Sequence, residues 1–197
     1  VYARDMDGDG KTDVVLVGKG TSNSNSYNRI NIALSTGNSF IFNPEYTSTT
    51  TLVYTGQFNY GDYDGDGRYQ ILYKNSTTSN LFSFATGTPS HLINNVIDGF
   101  GAKSTLTYLP MSNINVYSRG TGATYPVSDF SSSMQLVSQV SSDNGIGSFT
   151  TLSYLYQGAK IHKQGKGFLC FSKITTTNGA TNIITESNYT FDSSYFY

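Results

Sequence analysis

The stretch from Asp5 to Asp13, DMDGDGKTD, sets four carboxylates in nine residues with two glycines between them. Like charges packed so closely repel one another, so the segment needs a partner that offsets the repulsion. A hard divalent cation is the first candidate: calcium takes about six to eight oxygen ligands, and alternate side chains of one tight loop supply most of them. On this reading Asp5, Asp7 and Asp9 give carboxylate oxygens, Lys11 gives its backbone carbonyl, and Asp13 closes the far side. Gly10 permits the sharp turn, because it has no Cβ to clash at positive φ. The segment runs directly into VVLV at 14–17, so this part of the chain has to fold as a loop that feeds a β-strand.

The pattern recurs as DYDGDGRYQ, in which Asp62 follows Asp5 by 57 residues. A repeat at such a period points to stacked supersecondary units. An EF-hand needs a glutamate at the twelfth loop position and a helix on each side. Counting from Asp5 and Asp62, that position holds Leu16 and Tyr73, and strand-like runs follow both loops. What remains is a shorter loop whose last ligand comes from its ninth position, where Asp13 is suitable. In the second loop Asp62, Asp64 and Asp66 keep the frame, but Arg68, read as a backbone-carbonyl ligand, brings a positive charge, and Gln70 offers only one neutral oxygen. That set is expected to be a weaker or empty site. The competing reading of both loops is a pair of Asp-Gly β-turns with solvated carboxylates. A bound ion would be structural, stapling a loop between strands.

Helical periodicity is almost missing. Short β-type runs stand between turn residues instead: VVLV at 14–17, RINIAL at 29–34, TLVYTGQF at 51–58, QILYK at 70–74 and LFSFA at 81–85. TGTPS at 86–90 is turn-rich and marks a boundary, giving domains at 1–88 and 89–197. Beyond it, a glycine-rich turn at Asp98 to Gly101 precedes an alternating strand from Lys103 to Leu109. Asn144-Gly145 and Asn178-Gly179 each stand between strand-like runs, a strong hairpin signal. They predict pairing of Leu136 to Ser141 with Ser148 to Tyr156, and of Phe168 to Thr177 with Thr181 to Phe191. Ser112 to Ser133 reads as a long loop. The expected fold class is all-β, with repeats followed by an antiparallel sheet of long hairpins.

With 37 % apolar and 14 % aromatic residues the chain can build a core. Charged residues are 13 %, the net charge is −1 and no basic run exists, which argues against a nucleic-acid surface. No apolar stretch approaches the roughly 18 residues of a membrane span. The opening VYARDMDGDG has neither an initiator methionine nor a signal-peptide pattern, and reads as a cut from a longer protein. Cys170 alone can form no internal disulfide. Weak calcium loops, at roughly 10⁻⁴ to 10⁻³ M, belong to extracellular modules, so the expected location is secreted or cell-surface.

Other chemistry is sparse. His91 and His162 have no zinc-ligand spacing and no nucleophile elbow nearby, and read as surface or hairpin-edge residues. Cys170, in FLCF, reads as a small buried hydrophobe in a strand. The sixteen tyrosines suit half-buried strands better than glycan stacking. No nucleophile, base and orienting acid can be assembled, so the chain is expected not to be an enzyme.

DMDGDGKTDVVLV and GDYDGDGRYQILY resemble FG-GAP (VCBS-type) repeats, whose strands form β-propeller blades and whose loops hold calcium. Downstream, NNVIDGFGAKSTLTYLPM and LVSQVSSDNGIGSFTTLSYLYQGAKIHKQGKGFLCFSKI resemble the segment after those repeats in the B components of insecticidal toxin complexes and in SpvB-like and Rhs-type shell proteins. The resemblance covers nearly the whole chain. It departs at Cys170, where the family usually has glycine, and at Gln70. The resemblance implies a non-enzymatic structural and interaction module of a large bacterial toxin-delivery protein, with propeller-blade-like repeats leading into a hollow β-shell. The implied partners are other parts of the same shell protein and a protein of the toxin assembly. A calcium-dependent adhesion or glycan-binding module is the alternative built from the same repeats.

Overall fold

The computed structural model describes residues 1–22, 25–42, 52–53, 56–84, 92–192 and 194. These residues form strands and turns and no helix, and every sheet is open and mainly antiparallel. Since none of them is helical, no helix is long and apolar enough to cross a membrane. The chain divides into two compact units, Val1–Leu92 and Ile93–Tyr197.

The first unit carries β1 (Tyr2–Arg4), β2 (Asp13–Ser22), β3 (Asn25–Ser35), β4 (Phe40–Phe42), β5 (Leu52–Val53), β6 (Gln57–Gly61), β7 (Gln70–Lys74) and β8 (Ser79–Phe82). One sheet runs β1-β2-β3-β4 with β5 also on β3; the other runs β6-β7-β8. Alternation within these strands decides what is buried. Val15 and Ile32 face each other across β2 and β3, and both are buried, as is Ile30 opposite Val17. Ile71 and Tyr73 of β7 join them and Met6 in one core, with Phe58, Tyr60 and Phe82 packed around it. The core thus draws on both sheets. Gly56 lets the Tyr73 ring lie against the backbone, since a Cβ there would stand 1.9 Å from its Cε2.

The repeat seen in the sequence is a structural repeat. Tyr2, Ala3 and Arg4 pair with Val15, Val14 and Asp13, while Asn59, Tyr60 and Gly61 pair with Leu72, Ile71 and Gln70. Every partner is displaced by the same 57 residues that separate Asp5 from Asp62. Each acidic stretch is therefore the connection of an antiparallel strand pair in the same register.

The second unit holds β9 (Asn95–Ile97), β10 (Lys103–Pro110), β11 (Tyr117–Ser118), β12 (Val127–Asp129), β13 (Gln135–Asp143), β14 (Phe149–Gln157), β15 (Lys160–His162), β16 (Gly167–Cys170), β17 (Lys173–Asn178) and β18 (Ile184–Asn188). Its large sheet runs β18-β17-β14-β13-β10-β9, with β11 parallel to β14, and a small sheet runs β12-β15-β16. Met111, Val116, Tyr117, Leu136 and Ala159 form the core.

The first predicted hairpin is present: β13 pairs with β14 and closes Asp143 on Phe149. Its turn differs in kind. Asn144 does not take positive φ; Gly145 (φ 76°) and Gly147 (φ 80°) do, and the Asn144 carboxamide accepts from the N–H groups of Ile146 and Ser148. The second hairpin is shorter than predicted. Only β17 pairs with β18, because Phe168 to Cys170 belongs to β16 and bonds to β15 in the other sheet. Around Asn178-Gly179 the left-handed residue is Asn182 (φ 56°), while the Asn178 side chain accepts from Ala180 and Thr181.

The stretch from Ser112 to Ser133 is mostly loop, as expected, but it contains two short strands and supplies the core residues Val116 and Tyr117. The Tyr117 hydroxyl donates to Phe130 O at 2.6 Å and accepts from Ala159 N–H at 3.2 Å. His162 stands at the hairpin end of β15, opposite Gly167, the second of its two expected places, and is buried there. His91 and the stretch 86–90 lie outside the described residues.

Register places three hairpin turns, 98–102, 144–148 and 179–183, at one end of the large sheet. Phe100, Ile146 and Ile183 at these turns are 100, 85 and 62 % exposed.

Candidate metal centre

Loop 1 spans the connection from β1 to β2. Gly8 (φ 78°) and Gly10 (φ 84°) turn the backbone so that successive N–H groups point inward. The Asp5 carboxylate collects those of Gly8, Asp9 and Gly10 at 2.8, 3.2 and 2.9 Å. Asp7 accepts from Asp9 N–H at 3.2 Å. Asp13, fully buried at the first position of β2, accepts from Met6 N–H at 2.8 Å and from Ser35 N–H at 2.9 Å. It ties the start of the loop to the end of β3.

Of the five residues expected as ligands, Asp5, Asp7 and Asp13 bring carboxylate oxygens within 4.8 Å of one another. Asp9 is drawn aside: its carboxylate takes the Lys11 ammonium and the Lys11 N–H. That ion pair holds the Asp9 carboxyl below its ordinary pKa. Burial, followed by the neighbouring Asp13 and Asp9 charges, pushes Asp7 up. Burial also pushes Asp13 up, with its two backbone hydrogen bonds opposing and Asp5 and Asp9 adding to the rise. The loop thus holds three converging carboxylates, two of them carrying an electrostatic penalty that a divalent cation would relieve. A carboxylate oxygen has two lone pairs, so Asp13 can hold its N–H donors and still face an ion. Hard-cation chemistry fits this donor set.

Loop 2, between β6 and β7, repeats the backbone. Gly65 (φ 74°) and Gly67 (φ 90°) match Gly8 and Gly10. Asp62 accepts from Asp66 and Gly67 N–H at 3.0 Å each, Asp64 from Asp66 N–H at 3.2 Å, and Asp66 from Arg68 N–H at 2.9 Å. Asp62, Asp64 and Asp66 also converge within 4.8 Å.

The rest of loop 2 differs. Gln70 accepts from Tyr63 N–H at 2.7 Å, as Asp13 does from Met6, but its Nε2 donates to Asp64 Oδ1 at 2.8 Å. Arg68, 8 % exposed, sets its Nε 3.3 Å from Asp66 Oδ2. An amide donor thus meets Asp64 and a guanidinium lies beside Asp66, while Asp62 faces neither; burial still pushes the Asp66 carboxyl up, with Arg68 opposing the rise.

The sequence signalled both loops but missed two contributors, Met6 and Ser35, and the donor role of Gln70, which was expected only as a weak oxygen ligand. Met6 anchors loop 1 in the core, Ser35 supplies a clamp on Asp13 from 22 residues away, and Gln70 acts as a donor. Of the two missed residues Met6 alone had a sequence signal, an apolar residue inside an acidic loop. In the second unit, Asp129 and Lys160 form an ion pair, with Asp129 also accepting from Ala123 N–H.

The family model described as the insecticide toxin TcdB middle/N-terminal region matches residues 31–196. No curated protein matches the chain.

Proposed function

Because the chain belongs to the insecticide toxin TcdB middle/N-terminal region family, we propose that it is a non-enzymatic structural and protein-interaction module of a large secreted toxin-delivery protein. The family match over residues 31–196 is the observation that carries this reading. The fold supports it. The open antiparallel sheets end in edge strands, and an edge strand is a template that further chain can extend. The exposed apolar turns at Phe100, Ile146 and Ile183 offer contact area for a protein neighbour. The conspicuous carboxylates lie in strand connections and bind their own backbone, an arrangement that serves loop structure rather than turnover.

In this reading the first unit acts as a pair of FG-GAP-type, blade-like repeats. Asp5, Asp7 and Asp13 would hold a calcium ion, which supplies positive charge to a loop that lacks enough of its own. The second unit begins the β-shell. The partners are the rest of the parent protein and another protein of the toxin assembly.

The test removes residues 31–196 from the parent protein, mixes it with the other components of the toxin complex and follows assembly by size-exclusion chromatography with light scattering. Loss of the assembled species, with catalytic activity of any toxic segment unchanged, supports the module. Full assembly of the deleted protein would overturn it.

A further inference from the structure

Loops 1 and 2 share backbone, register and glycine positions, yet differ in what faces their carboxylates. We infer that loop 2 is a metal-independent copy of loop 1, in which Arg68 and Gln70 take the place of the cation. Gln70 bridges Tyr63 N–H and Asp64 Oδ1 with its two amide atoms, at 2.7 and 2.8 Å. Aspartate at the equivalent position 13 is acceptor-only when ionised, so it can clamp Met6 but cannot donate to Asp7. The cations differ as well. The Lys11 side chain is 42 % exposed and that of Arg68 is 9 % exposed, so the guanidinium is a buried part of loop 2 while the ammonium lies at the surface of loop 1.

A divalent ion entering loop 2 would have to displace the Gln70 donor from Asp64 and approach a fixed positive charge beside Asp66. Loop 2 therefore keeps its shape in chelator, and the chain binds one divalent ion, in loop 1. Only that count rests on the proposed calcium reading of loop 1. The exclusion of metal from loop 2 stands on Arg68 and Gln70 alone.

The full chain is titrated with calcium chloride by calorimetry and with terbium chloride by tyrosine-sensitised luminescence. The wild type should bind one ion, Asp7→Asn none, and Asp64→Asn one as before. The double variant Arg68→Lys, Gln70→Asp should gain a site. A wild type that binds no ion, with a site gained in the double variant, sinks the loop 1 reading and leaves this inference standing. Two ions in the wild type, one of them lost in Asp64→Asn, would overturn it. So would a double variant with native circular dichroism and no added site. Melting in EDTA provides an independent check: Arg68→Met should lower the melting temperature several-fold more than Lys11→Met. Equal small shifts would overturn the inference.

Discussion

Asparagine at Asp13 separates the clamp in loop 1 from the proposed ion. The carboxylate accepts from Met6 N–H at 2.8 Å and Ser35 N–H at 2.9 Å, and the residue is fully buried. Asparagine keeps one acceptor oxygen and turns an NH₂ group toward the other donor. A buried donor left without a partner costs about 1–3 kcal/mol. Part of that is offset because the buried Asp13 carboxylate is itself disfavoured, as its raised pKa shows. The net destabilisation should be about 1–2 kcal/mol, the order expected for loss of one buried hydrogen bond. In a unit of this size it lowers the melting temperature by about 4–16 °C. Circular-dichroism melts of the full chain in EDTA measure this loss without metal. Calcium at about 100 times Kd then adds about 2.7 kcal/mol to the wild type and much less to the variant, so the gap widens. A variant that melts with the wild type in EDTA would refute the clamp, and a gap that calcium does not widen would refute the ion's role.

Burial raises the Asp7 and Asp13 pKa values, so the folded unit binds protons that the unfolded chain has released. Metal-free stability from these groups should therefore fall as pH rises from the ordinary carboxylate range through the raised values, and calcium should reverse the trend; melts across about pH 4 to 7 with chelator and with calcium check both signs. Asp129 behaves oppositely. The Lys160 hydrogen bond and then the Ala123 N–H lower its pKa, so its contribution is present above the ordinary value and lost as pH falls through the depressed one. Lys160→Met should return the Asp129 carboxyl toward its ordinary pKa in an NMR titration, and an unmoved value would refute the pairing. Gly56→Ala should destabilise the first unit by about 1–3 kcal/mol, because the new Cβ overlaps the buried Tyr73 ring; a wild-type melting temperature would contradict this packing.

Local signals carried much of this fold. QILYK at 70–74 is a strand because its alternation puts Ile71 and Tyr73 inward, and the acidic repeat predicted two equivalent loops that proved equivalent down to register. What the sequence hid depends on distant partners. Phe168 to Cys170 and Lys173 to Asn178 read as one strand, yet Ser172 N–H bonds back to Gln157 O and the chain changes sheets there. The loop from Ser112 to Ser133 looked irregular because its order comes from burying Val116 and Tyr117, which no periodicity announces. In the candidate site, residue types were legible and their pairing was not. Asp9 resembles Asp5 and Asp7 in sequence, yet its carboxylate pairs with Lys11 and lies outside the group that Asp5, Asp7 and Asp13 form.

Backbone amide exchange, followed by mass spectrometry on the parent protein alone and in the assembled toxin complex, tests most directly whether this chain works by association. Exchange should slow on assembly within residues 31–196, the span of the family match. Identical exchange throughout the chain in the two states, with assembly verified in the same sample, would contradict its role as an interaction module.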